Sequence, residues 1–353
     1  MLSTPRSAGQ FSRNVLAADW SKAQSRAAFA LVLVITGALA SGILAGNARY
    51  GVLIASGAFS VGFGSFQQLR GSRIVPMLLA ACGMCVSSWV GTLAGLSSIT
   101  AVIACAAAAF AYAEISRRSQ AASWIALQCA IWLVISTAYP VQGLQVLGRG
   151  LLILAGGLLQ AGVTALVCRV AAAGIPEWRG VAIPASAMQP ISIVGATLAI
   201  AFATALYEWI WRGGAQNAYW IPMTALIVLR SQLGQTVQRG MARTLGTMIG
   251  ASLATVIVSA ASPGPWVLAT GVILFAWASY TLLNVNYTYF AVFLTGYVVF
   301  LLSLAGVSEH PLVIQRVLFT ALGGALALGM HALSDRKTSR SSGVKQPLME
   351  SQP

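Results

Sequence analysis

Residues 149–166 read RGLLILAGGLLQAGVTAL, and residues 316–333 read RVLFTALGGALALGMHAL. Each opens on an arginine, Arg149 or Arg316, and reaches a Gly-Gly pair seven residues on, Gly156-Gly157 or Gly323-Gly324. A further glycine follows at the same spacing, Gly162 or Gly329, and both stretches close on Ala-Leu. Both are apolar over close to the ~20 residues a membrane-spanning helix requires. A spanning helix that occurs twice points to a bundle built by duplication.

The rest of the chain extends that reading. Asn47-Ala48 answers Asn217-Ala218, Gly64 answers Gly234 and Arg73 answers Arg243, all at a common offset. Of 353 residues, 58% are hydrophobic and 8% charged, with a mean hydropathy of +0.79. A soluble domain carries roughly a quarter charged residues, so an ordinary cytosolic enzyme and a disordered chain are both excluded. Apolar stretches lie at 27–46, 50–67, 74–94, 98–115, 121–139, 147–168, 190–210, 218–233, 244–261, 266–284, 287–306 and 312–333. The stretch from Tyr50 is rich in glycine and the one from Tyr219 holds an arginine, so both are candidates for broken or re-entrant helices.

The expected fold is therefore all-α, with about twelve transmembrane helices in two six-helix repeats. An even number of spans per repeat makes the repeats parallel, related by a pseudo-two-fold axis along the membrane normal. The domains read as a tail at 1–26, a first repeat at 27–170, a linker at 171–189, a second repeat at 190–333 and a tail at 334–353. The ends, 1–21 and 334–353, read as flexible. The apolar stretch after Arg26 is longer than a usual signal core and has a counterpart in the second half, so it reads as a retained helix.

The net charge of +14 would suggest nucleic acid in a soluble protein. With both termini placed in the cytoplasm, 17 of the 21 basic residues fall inside; only Arg49, Arg149, Arg212 and Arg316 fall outside. The positive-inside rule accounts for that bias, and no nucleic-acid partner is needed. Cys82, Cys85, Cys105, Cys129 and Cys168 all sit in apolar stretches and read as small buried filler. The Cys82-x-x-Cys85 pair has no companion pair or nearby histidine, so no metal and no cofactor are expected.

Residues 218–250 read AYWIPMTALIVLRSQLGQTVQRGMARTLGTMIG. This stretch, with Asn286-Tyr287, Thr295, Arg316 and Gly323-Gly324 following in order, resembles the signature of the fusaric-acid-resistance-like family of aromatic acid exporters. It also resembles the plant aluminium-activated malate channels, whose six-helix unit dimerises around an anion pore. The resemblance implies a multi-pass transporter of the bacterial inner membrane that exports small carboxylic acids, aromatic ones above all. Its partners would be an organic anion, membrane lipid and, among proteins, a second copy or a periplasmic adaptor. Larger members carry cytoplasmic domains after each bundle, for which this chain has no counterpart of comparable size.

Charge inside a bilayer is costly, which makes intramembrane arginines the first site candidates. A helix running continuously from Tyr219 would carry Arg230 about 16 Å deep, where a planar guanidinium can fork onto a substrate carboxylate. The competing reading is an anchor that snorkels to the surface. Arg149 and Arg316, paired by the repeat, would face each other as an electropositive ring, or else hold a loop carbonyl or lipid headgroup. Arg239 and Arg243, one turn apart, would attract anions from the cytoplasm or anchor topology.

Tyr219, Thr224 and Thr295 are candidates to stack on or hydrogen-bond an aromatic acid, as are Trp220, Tyr287 and Tyr289. For the cluster Tyr207, Trp209, Trp211, Tyr219 and Trp220 an interfacial aromatic belt is the stronger reading. Glu208, Glu114 and His331 are the candidates for proton coupling. Each has a structural alternative: pairing with Arg212, pairing with Arg117 or Arg118, and placement near a helix end. No phosphate-binding loop and no clustered acids or nucleophile–base pair point to ATP hydrolysis or to a membrane enzyme. An exporter and a passive anion channel on the same fold remain the two readings. On either, Arg230→Ala is expected to abolish flux while the protein stays in the membrane; flux equal to wild type would remove Arg230 from the site.

Overall fold

The computed structural model describes residues 16–170, 192–212, 217–230, 232–261, 263–307 and 312–342. Among the described residues the chain forms twelve α-helices and no strand. They are α1 (Ser25–Leu44), α2 (Ala48–Gly62), α3 (Ile74–Ala94), α4 (Ser98–Ile115), α5 (Gln120–Thr137) and α6 (Leu144–Val170). Then follow α7 (Ile193–Arg212), α8 (Trp220–Val228), α9 (Leu233–Ala261), α10 (Pro265–Leu282), α11 (Tyr287–Leu304) and α12 (Leu312–Ser342). Nine of these are long and apolar enough to cross a membrane: α1, α3 to α7 and α9 to α11. Of the others, α2 has 15 residues, α8 has 9, and α12 is apolar over Ile314–Met330.

Local chemistry sets the helix ends. Ser119 accepts from the Ala122 N–H before α5, and Asn286 accepts from the Thr288 and Tyr289 N–H groups before α11. Both satisfy donors that a helix start leaves orphaned. Pro265 opens α10, where a missing N–H costs nothing. After α1 and α11 the chain turns at Gly46 and Gly306, each in the left-handed region that only glycine enters freely.

Polarity is reversed relative to a water-soluble bundle. Ile103, Phe202, Val256 and Leu274 point outward. Thr92, Gln160, Thr204, Thr236, Thr247 and Arg243 are buried. Apolar side chains outside and polar ones within are the arrangement that lipid as solvent selects.

Packing partners recur at a step of six helices. α2 packs on α6 and α8 on α12; α3 on α5 and α9 on α11; α3 on α6 and α9 on α12; α1 on α2 and α7 on α8. The contacts between halves also exchange, α4 with α7 and α1 with α10. Glycines fix the same registers in both halves. A side chain at Gly156 would meet the Ile54 carbonyl and one at Gly323 the Ile221 carbonyl, 102 residues back in each case. Gly91 and Gly95 of α3 face the Leu133 and Thr137 carbonyls, while Gly246 and Gly250 of α9 face those of Thr288 and Val292, always 42 residues ahead. Where lipid supplies no hydrophobic push, such close backbone approach is what holds helices together.

Three expectations need correction. The span expected at 218–233 ends at Val228, and the helix expected from 244 begins already at Leu233. The carboxyl-terminal region expected to be flexible from 334 is helical to Ser342. Part of the amino-terminal tail is anchored: Asp19 N–H donates to the Val285 carbonyl, Gln24 N–H to that of Thr281, and Asn286 Nδ2 to that of Ala17. The linker at 171–189 and the remainder of both tails lie outside the described residues.

The glycine registers predict that Gly156→Ala, which drives a methyl group into the backbone of α2, destabilises the bundle by ~1–3 kcal/mol. Gly162→Ala on the same helix meets open space, so it is expected to leave the melting temperature in detergent unchanged or slightly raised. Equal melting of the two variants would contradict the register.

Candidate functional site

A cavity of about 1200 Å³ lies between the two halves, walled by α2 and α5 on one side and α8, α9 and α11 on the other. Its lining includes Gln120 and Tyr139 at opposite ends of α5, and Tyr287 and Ala305 at opposite ends of α11. Each of those helices has 18 residues, so the cavity extends for about 27 Å, close to the thickness of a bilayer's apolar core. Five arginines line it: Arg49, Arg149, Arg230, Arg239 and Arg243. Among the described residues no Asp or Glu does. The remaining wall is largely aromatic and aliphatic, with Trp124, Trp132, Tyr219, Trp220, Phe290 and Tyr297 prominent.

Four of the five arginines have a structural task. The last carbonyls of a helix lack partners, and a cation there also complements the helix dipole. Arg49 Nε donates at 3.1 Å to the Ala305 carbonyl at the end of α11. Arg149 Nη1 donates at 2.5 Å to the Tyr139 carbonyl just past α5 and at 3.2 Å to Thr92 Oγ1. α8 stops after nine residues, and two arginines serve its end: Arg230 Nη1 donates to the Leu229 carbonyl at 2.6 Å and Arg239 Nε to that of Ile227 at 3.2 Å. Arg239 also lies over the Tyr287 ring, 3.9 Å from its centre.

Arg243 differs from these four. It is 1% exposed, and its Nε and Nη1 have no hydrogen-bond acceptor among the described residues. Its guanidinium carbon lies 6.0 Å from the centre of the Trp220 ring, whose own Nε1–H is also without an acceptor. Arg316 also approaches that ring, 4.3 Å from its centre.

The structure brings Arg149, Arg230, Tyr219, Arg239 and Arg243 onto one cavity. Arg230 is not at mid-helix depth: α8 ends before it, and it occupies the turn into α9, its N–H donating to Thr236 Oγ1. Arg149 and Arg316 do not form a ring, because Arg149 faces the cavity while Arg316 is buried beside Trp220. Thr224 and Thr295 are fully buried away from the cavity lining. The aromatic belt accounts for Trp209, which is exposed, but not for Tyr207, Tyr219 or Trp220, which are buried because their helices pack inward. Trp211 and Arg212 have side chains outside the described set.

Arg73 and Arg243, matched by sequence offset, have different surroundings, since Arg73 precedes α3 and donates to the Ser65 carbonyl. Glu114 pairs with Arg117 at 3.7 Å. Glu208 accepts from Ser98 Oγ at 2.7 Å, and the His331 side chain lies outside the described set. Cys85 and Cys105 are buried, whereas Cys82 and Cys168 are exposed on the outer surface rather than serving as interior filler.

Sequence reasoning missed the wall contributed by α5. Its signal was present: Gln120, Trp124, Gln128, Trp132 and Ser136 recur every four residues and form one polar and aromatic stripe along an otherwise apolar span. Arg49 was visible only as an exception to the charge bias.

Residues 196–330, which supply α8, α9 and α11 of this cavity, match the family described as Fusaric acid resistance protein-like. The match covers most of the second half of the chain and less than half of the whole. Together with nine helices among the described residues that are long and apolar enough to cross a membrane, the match supports a multi-pass membrane protein. It is also 31% identical over 113 residues to the "Uncharacterized protein YhfK" of Escherichia coli (strain K12), a match covering 32% of this chain and 16% of that relative. The chain thus aligns to less than a fifth of that relative's length. No solved structure matches it.

In a cysteine-free background, Ser60→Cys and Gln128→Cys on the cavity wall are expected to react with a small water-soluble thiol reagent in the folded protein. Thr224→Cys and Thr295→Cys, from the buried family positions, are expected to stay unreactive until unfolding. Equal labelling rates would show that the cavity is not hydrated or that the threonines line it.

Proposed function

We propose that this protein transports small organic anions, aromatic carboxylates above all, through the cavity between its halves. One observation carries the reading: a passage about as long as a bilayer is thick, lined by five arginines and, among the described residues, by no acid. A positive lining in a low-dielectric wall concentrates anions and repels cations. The aromatic surfaces suit the ring of an aromatic acid. The family's description names fusaric acid, itself an aromatic carboxylic acid.

On this reading the chain is two parallel six-helix repeats around a pseudo-two-fold axis, with both termini in the cytoplasm of a bacterial cell. The recurring helix partners and the repeated glycine registers support it. The positive-inside bias then turns the cavity end at Gln67, Gln120 and Gln235 toward the cytoplasm, and the family resemblance makes export the proposed direction. Each repeat supplies part of the wall, so one chain suffices for a pathway. Homodimerisation and a periplasmic adaptor would be additions to it.

Reconstituted into liposomes, the protein is expected to carry 4-hydroxybenzoate at least tenfold faster than protein-free vesicles and to exclude the cation benzylammonium. Carrying out the assay with and without an imposed proton gradient separates a coupled exporter from a passive channel. Transport of benzylammonium at the same rate, or of neither ion, would overturn the proposal.

A further inference from the structure

We infer that Arg243 and Trp220 form a binding station for the carboxylate group of an organic anion. This rests on the transport reading above and deepens it by assigning the ligand's anionic end to named atoms. Around the cavity, Arg49, Arg149, Arg230 and Arg239 each donate to a helix-terminal backbone carbonyl, so part of their donor capacity is committed to the fold. Arg243 has no such tie: it is 99% buried, lines the cavity, and leaves Nε and Nη1 without acceptors among the described residues. Trp220, likewise on the cavity wall and 3% exposed, adds an Nε1–H donor in the same condition. Three buried donors and a fixed positive charge thus lie together in one part of the cavity wall.

A buried donor left unmade costs free energy, and a buried unpaired cation costs more. The ligand that relieves both must be an acceptor and an anion. An ionised carboxylate is acceptor-only, with two oxygens and about four lone-pair directions, so it serves a guanidinium and an indole N–H together. Phosphate and chloride meet the charge requirement as well, but the wall beside the station is apolar. Met223, Phe290 and Leu294 line the same cavity and offer a surface that only an organic body uses. Arg316, 4.3 Å from the centre of the Trp220 ring, adds positive potential and holds the indole by a cation–π contact. The cavity exceeds the ~300–1,000 Å³ usual for a drug-sized ligand, so a one-ring acid enters with room for water.

The test is equilibrium binding to the purified full-length protein in nanodiscs, read by tryptophan fluorescence, with benzoate, benzamide, chloride and inorganic phosphate as probes. Wild-type protein is expected to bind benzoate at least tenfold more tightly than any of the other three. Arg243→Lys, which keeps the charge and so guards against misfolding, is expected to weaken benzoate at least tenfold, because an ammonium lacks the planar fork. Trp220→Phe keeps the ring and removes the N–H, and is expected to weaken benzoate about threefold or more. Wild-type benzoate affinity in Arg243→Lys would overturn the station, while tight binding of benzamide, chloride or phosphate would overturn its assignment to organic carboxylates. Flux of 4-hydroxybenzoate by wild-type protein alongside either result would leave the transport reading standing; absence of both flux and binding in wild type would end both.

Discussion

Inside a bilayer every backbone carbonyl at a helix end and every guanidinium must find its partner within the protein, because lipid offers none. Much of this structure follows from how that requirement is met. α5, α8 and α11 all end beside the cavity, and arginines from other segments reach their terminal carbonyls: Arg149 for α5, Arg230 and Arg239 for α8, Arg49 for α11. The two needs satisfy each other, since a helix C-terminus is electron-rich and a guanidinium is a cation with five donors. Four charges that look functional by position therefore carry a structural load, and their removal would unsettle helix ends as well as any ligand.

The same accounting isolates Arg243. Its helix is continuous around it, so no terminal carbonyl is at hand, and no acid lines the cavity among the described residues. Its neighbours within hydrogen-bond reach leave two nitrogens unserved. A scaffold whose helix partners repeat at a step of six thus carries a buried cation that does not repeat. The position 155 residues earlier, matched by the Gly91 and Gly246 contacts, is Ser88, and its partner is the Ser136 hydroxyl. On the proposed reading, the recurring partners serve construction and this departure from them serves recognition.

Much of the fold was legible because hydropathy and small-residue spacing are direct consequences of lipid contact. Each of the twelve expected apolar stretches falls on a helix, but α8 is shorter than its stretch and α9 begins at Leu233, well before the stretch expected from 244. The difference there has a physical cause: residues 233–243 mix arginine, glutamine and glycine and lack an apolar run, yet they are helical because α9 extends beyond its apolar part. Site residues were legible by charge but not by role. Arg230 was favoured by an assumed helix length, and Arg243 was demoted by its place near a basic cluster, whereas burial and partner geometry reverse the order. Thr224 and Thr295 belong to the family pattern, but they are buried in the bundle, where side-chain size against α12 and neighbouring helices matters. The α5 wall was overlooked because its half of the chain carries no family motif, although its four-residue stripe is a plain amphipathic signal.

The central claim is that the arginine-lined cavity is where an organic anion resides on its way through the bundle. Cryo-electron microscopy of the protein with 4-iodobenzoate tests it most directly, since the iodine marks the ring and the carboxylate lies opposite. The account predicts density in the cavity with the carboxylate within hydrogen-bond distance of Arg243 and the Trp220 indole nitrogen. Density confined to the lipid-facing surface, or a well-resolved cavity in which Arg243 is paired with a protein acceptor, would contradict it.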